Sequence, residues 1–294
     1  MGPWPGVLGV ALLLGCTSSE APGGAAPPAI VFDWLRDGNR DIYRARLDGT
    51  DVVRLTSDPG EDEHPTERAG IVVFTSYRDG NGELYSIAAS GGAERRITTS
   101  AANETQPALS PDGRHIAYLS DESGVPKLWM SAADGTNPQP LTAGFGFAGS
   151  IEASPSWAPS GDRLVFVSTA QGDAGLFQLV IGSGSVTALV QDSTPSVEPA
   201  WSPDGLRIAF ASERNGATQL YLLDLASGVV RLLKGGPAGG TRGEPSWLSD
   251  GRVVYMDWGN GVAGLYWLDP AAPDAAHTID LGPGVPGHPK GVPG

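Results

Sequence analysis

Apolar residues along this chain fall in short blocks separated by turn residues, without the three-to-four spacing of an amphipathic helix. Six blocks are built alike, each a short β-branched or small apolar stretch ending on an aromatic. They are Val31-Phe32-Asp33-Trp34, Val73-Phe74-Thr75-Ser76, Ala117-Tyr118-Leu119-Ser120, Val165-Phe166-Val167-Ser168, Ala209-Phe210-Ala211-Ser212 and Val254-Tyr255-Met256-Asp257. Blocks of this length and composition predict buried strands. About ten residues after each comes a second aromatic: Tyr43, Tyr85, Trp129, Phe177, Tyr221 and Tyr266, spaced 42 to 48 residues apart. A third strand follows on Leu55, Ile97, Leu141, Leu189, Leu232 and, in the last copy, Ile279.

A further strand, opened by X-Pro, precedes each block. Its clearest copies are Pro155-Ser156-Trp157, Pro199-Ala200-Trp201 and Pro245-Ser246-Trp247. The turn between the two reads Ser110-Pro111-Asp112-Gly113, Ala158-Pro159-Ser160-Gly161, Ser202-Pro203-Asp204-Gly205 and, shortened, Ser249-Asp250-Gly251. Pro presets φ at the first central position, Asp accepts the second, and Gly takes the left-handed position that lets the hairpin close. Each repeat is therefore a four-stranded antiparallel meander of about 44 residues, the unit of a propeller blade. The expected fold class is all-β, a six-bladed β-propeller. The first repeat begins at its second strand, Ile30 to Trp34. His288-Pro289 falls in phase with Glu244-Pro245, so the C-terminal strand is expected to supply the missing innermost strand and close the ring.

Composition sharpens this picture. The 42 Gly and 25 Pro among 294 residues exclude a long helical bundle, because helix interiors tolerate neither. The net charge of −14 leaves no basic stripe for nucleic acid. Val7 to Leu14 is apolar or Gly, too short to span a bilayer, and leads to Leu14-Gly15-Cys16, the one cysteine in the chain. This resembles a bacterial lipoprotein signal, although Met1 to Gly6 carries no Lys or Arg and Leu14 is bulkier than that pattern prefers. The resemblance implies a signal peptide over 1–15, a lipidated Cys16, and a Pro/Gly/Ala linker over 16–29 before a propeller of 30–294. It also implies an exported protein that faces the periplasm or cell surface and meets the membrane through its lipid alone.

Pro199 to Tyr221, with Pro-x-Trp-Ser-Pro-Asp-Gly, then Ile-Ala-Phe-x-Ser, then Leu-Tyr, is similar to the WD-like repeat of the TolB propeller family. The resemblance runs from about residue 30 to 292. Only about 14 residues separate Cys16 from the first strand, so the α/β domain that precedes the propeller in that family has no counterpart here. Its role in a Tol-type envelope system does not transfer with the fold.

The turns after the first and third strands of each blade share one face, uniform in chemistry and read as structural. The opposite face varies, which is where function is expected. There Gly144 to Gly149 inserts Phe145 and Phe147, which either meet a partner or tuck between blades. Trp34, Tyr77 and Trp258 fall at or beside the loop after the second strand, where they either form an aromatic rim suited to protein or carbohydrate contact or pack their own hairpins. Asp58, Glu61, Asp62 and Glu63 read as a solvated acidic loop. The residues preceding the repeated Pro are His64, Gln106, Ser154, Glu198, Glu244 and His288. On innermost strands they ring the channel mouth. His64, Gln106, Glu198, Glu244 and His288 are of types that bind a divalent metal, and oligogalacturonate lyases are similar in holding a metal on such an axis by His and Gln. Repetition alone, with bonds to neighbouring blades, produces the same ring. No nucleophile elbow, HExxH, P-loop or dinucleotide fingerprint is present. Two functions follow. The first is a non-enzymatic envelope scaffold that binds a protein or peptide and needs no cofactor. The second is a metal-containing enzyme or sensor acting on a saccharide or peptide.

Overall fold

A computed structural model describes residues 28–235, 239–259 and 262–292. The segment that resembles a lipoprotein signal, with Cys16, lies outside these residues. Twenty-four strands form six four-stranded sheets, each antiparallel. Five sheets follow the chain from inside to outside. Their innermost strands are β4 (Asp62–Arg68), β8 (Glu104–Leu109), β12 (Glu152–Trp157), β16 (Ser196–Trp201) and β20 (Arg242–Trp247). The sixth sheet joins the two ends of the propeller. Strand β24 (Val285–Gly291) lies inside β1 (Ala29–Arg36), with Ile30 opposite Gly291 and Leu35 opposite Val285. The closure expected from the phase of His288-Pro289 is present.

The predicted aromatics build the core. In each blade the aromatic of the second strand stands directly across from that of the third, as Phe74 from Tyr85, Phe166 from Phe177 and Phe210 from Tyr221. Their rings lie about 6 Å apart. The six apolar clusters lie between blades, not within them. One joins Leu119, Leu128 and Met130 of the third blade to Trp157, Leu164 and Phe166 of the fourth. A twisted sheet with two apolar faces buries both only against neighbours, which is why the repeat must close on itself.

Beneath the apolar layer runs a polar one. The first residue of each of these five inner strands opposes the last of the next: Asp62 faces Ser76, Glu104 faces Ser120, Glu152 faces Ser168, and Arg242 faces Asp257. The recurring serines are thus structural. Asp62 corrects the reading of a solvated acidic loop. It is fully buried, accepts two bonds from Arg78 Nη2 at 3.0 and 3.1 Å, and has its pKa raised by burial against the pull of Ser76, Thr56 and Arg78.

A polar ring around the channel

Each inner strand carries an X-Pro bulge, where two residues oppose one on the neighbouring strand. The register shifts at Glu63/Thr66, Thr105/Ala108, Ala153/Ser156, Val197/Ala200 and Gly243/Ser246. Proline suits a bulge because it has no N–H to leave unpaired. The residue before it takes a left-handed backbone in all six copies: His64, Gln106, Ser154, Glu198, Glu244 and His288 have φ between 41° and 55°. A side chain held there costs roughly 1–3 kcal/mol and persists only where its surroundings compensate.

The compensation is visible. The freed N–H of a ring residue donates to a side chain of the blade before it. Glu244 N donates to Glu198 Oε2 at 2.6 Å, His288 N to Glu244 Oε2 at 2.5 Å, and Ser154 N to Gln106 Oε1 at 2.7 Å. His64 N donates to Asp33 Oδ2 and Gln106 N to Thr75 Oγ1. One oxygen each of Gln106, Glu198 and Glu244 therefore already stitches blade to blade. Among the described residues no group of three or more His, Cys, Asp or Glu is placed to hold a metal ion.

The closing seam concentrates charge. The imidazoles of His64 and His288 lie with centroids 3.6 Å apart and planes tilted by 33°. His288 Nδ1 is 2.5 Å from Asp33 Oδ2, and Nε2 is 3.6 Å from Glu244 Oε1. Burial disfavours charge on His288, but the Asp33 bond and the Asp33, Glu244 and Glu63 carboxylates outweigh it and raise its pKa. Burial and the charge of His288 lower that of His64, against the opposing pull of Glu63. The seam therefore favours charge on His288 and disfavours it on His64. Asp33 is buried, yet the bond to His288 and the charges of His288, Arg40 and His64 keep its pKa low.

The five rim candidates separate. Tyr77 and Trp258 flank the ring at 38% and 39% exposure. The Tyr77 hydroxyl donates to Glu63 Oε1 at 2.9 Å, and the Trp258 indole lies over Gly243 beside Glu198. Phe147 stands out at 56% exposure. Phe145 instead packs its ring against Phe177 and Phe166, at 5.3 and 6.0 Å. Trp34 corrects the expectation most clearly: it is fully buried, edge-on to Tyr43 at 5.1 Å, because the strand continues two residues further than its aromatic suggested.

The ring surrounds a cavity of about 140 Å³, lined by its six residues, the prolines that follow five of them, and Lys290. A larger one, about 390 Å³, opens on the side of the Asp-Gly turns between Pro111, Pro159, Pro203 and Ser249. Sequence reasoning treated that face as structural and missed Lys290, which borders both cavities.

The model of the TolB beta propeller domain matches residues 21–145 and 145–269. The chain belongs to the TolB β-propeller domain family. It is 27% identical over 158 residues to a protein TolB homolog of Chlorobaculum tepidum. That alignment covers 53% of this chain and 25% of the relative, so the family assignment concerns the propeller. Among solved structures it superimposes on TolB from Acinetobacter baumannii with TM-score 0.78 and 19% identity, over 91% of this chain and 67% of the other. A nidogen/laminin complex structure contains a chain matching at TM-score 0.71 and 14% identity, over 89% and 97%. These two structural likenesses are likenesses of fold.

Proposed function

We propose that this TolB-type propeller is an exported, non-enzymatic scaffold, anchored at a bacterial membrane by lipid on Cys16. It binds an envelope protein or peptide through the face around the polar ring. The observation that carries this reading is the partial exposure of Tyr77 and Trp258, each beside a residue next to or in the polar ring. Both are large, partly exposed aromatics held on rigid strand ends, the kind of residue that anchors protein interfaces. Phe147 adds an exposed apolar contact on the inserted loop. The polar ring supports a scaffold, since its carboxylates and amide bond neighbouring blades. The propeller of the nidogen/laminin structure shows the same architecture in a protein complex.

The test is crosslinking in intact cells, comparing the natural chain with Cys16→Ser and with Tyr77→Ala/Trp258→Ala. A discrete envelope protein captured by the natural chain should weaken with Cys16→Ser and be lost with the aromatic pair, at unchanged melting temperature. Capture that survives the aromatic pair refutes the rim. A Cys16→Ser chain that still fractionates with membranes refutes the anchor.

A further inference from the structure

Two residues beyond each ring position, the inner strands place a second layer of side chains. Five of these are small: Thr66, Ala108, Ser156, Ala200 and Ser246. Each has a bonding role between blades. The hydroxyls of Thr66, Ser156 and Ser246 accept from the N–H of Leu109, Trp201 and Gly291. The carbonyls of Ala108 and Ala200 accept from the indoles of Trp157 and Trp247, at 2.9 and 3.0 Å. The sixth position is Lys290. A long cation thus stands where the repeat otherwise keeps the channel clear.

Lys290 lines the larger cavity from the closing strand, and Arg68 lines it from β4. Among the described residues neither side chain makes a hydrogen bond or an ion pair, whereas most other arginines here do. Arg40, Arg54, Arg78, Arg96 and Arg242 all meet buried carboxylates. Burial lowers the pKa of both cations, opposed at Lys290 by Glu244 and Glu198 and at Arg68 by Glu67. Glu67 also lines the cavity but is itself buried, with one oxygen accepting from Gly70 N. Holding two half-buried cations with no bonded carboxylate costs free energy, and the repeat places small residues at the positions equivalent to Lys290 five times.

We infer that the cavity on the turn face is a recognition site for a carboxylate, with Lys290 at its floor and Arg68 on its wall. About 390 Å³ is in the range of small-ligand sites. The Glu198 and Glu244 carboxylates beyond Lys290 oppose a second negative charge, so the site favours a monoanion over phosphate. Prolyl rings, the side chains of Trp157, Trp201 and Trp247 and small residues line much of the remainder, which suits the C-terminal end of a short peptide. This site lies on the face opposite the aromatic rim and stands independently of that reading.

The test titrates the whole protein with acetyl-Ala-Ala-Pro as its free acid, the same peptide as its C-terminal amide, and inorganic phosphate, by calorimetry. Intrinsic fluorescence reports in parallel, since Trp157, Trp201 and Trp247 border the cavity. The acid should bind at least about tenfold more tightly than either the amide or phosphate. Lys290→Met and Arg68→Gln should each weaken it by about tenfold or more, in keeping with a charged hydrogen bond of about 1.5–3 kcal/mol. No binding of the acid, equal binding of acid and amide, phosphate matching the acid, or binding unchanged in both variants would each overturn the inference. Arg68→Gln leaves the closing strand untouched and serves alone if Lys290→Met fails to fold.

Discussion

Removing residues 287–294 takes away most of the strand that closes the ring. Four bonds outside the β1 ladder go with it: Val292 N to Ala29 O, His288 N to Glu244, Gly291 N to Ser246 Oγ, and His288 Nδ1 to Asp33. The three donated by backbone N–H are worth about 1 kcal/mol each net. Asp33 is buried and loses its His288 partner, a loss of about 3 kcal/mol at the lower end for a broken buried pair. Val292 packs against the cluster around Val31 and Ile42, and its loss removes about 2 kcal/mol of burial. Together this is about 8 kcal/mol, the size of the whole stability of a typical domain. The truncated chain should therefore melt at least about 16 °C lower, or fail to unfold cooperatively at all. Circular dichroism melts and urea titrations of both chains measure this. A truncated chain melting cooperatively within about 5 °C of the natural one would show that ring closure does not carry the stability assigned to it.

Three further outcomes follow from the same structure. His288 has a raised folded pKa, so its stabilisation is complete below its unfolded value near 6.5 and is lost as pH rises through the folded value. The melting-temperature gap between the natural chain and His288→Gln should be widest below about pH 6.5 and shrink as pH rises above it; a gap that grows with pH contradicts the raised pKa of His288. Gly284 has φ of 145° and an added Cβ would run into the Trp34 indole, whereas Gly113, at φ 68°, faces open space. Chemical denaturation should show Gly284→Ala losing about 2 kcal/mol or more and Gly113→Ala about 1 kcal/mol or less; equal losses would count against the packing described. Phe145→Ser should cost about 2–3 kcal/mol and Phe147→Ser under about 0.5 kcal/mol in the same assay; the reverse order would place the inserted loop the other way round.

The site was less legible than the fold. The ring at His64, Gln106, Ser154, Glu198, Glu244 and His288 could be read from the phase of X-Pro alone. What its side chains do could not, because their partners Asp33 and Thr75 come from other strands, 31 residues from the ring positions they serve. Trp34 was misplaced because a strand end cannot be located from the aromatic it carries, and β1 runs on to Arg36. Lys290 was overlooked because its meaning is comparative. It stands out only once Thr66, Ala108, Ser156, Ala200 and Ser246 are seen as its equivalents around one axis.

The sequence by itself determined the blade count, the order of strands, the turn chemistry and the closing strand. All of these are written locally, in a 44-residue period of apolar blocks and Pro-Asp-Gly turns, and repetition makes each copy confirm the others. Only the tertiary structure decided which candidates face solvent, which carboxylates bond between blades, and why charge is favoured on His288 and disfavoured on His64. Those properties depend on distances between blades remote in sequence, and on the desolvation that the closed ring imposes on groups near its axis.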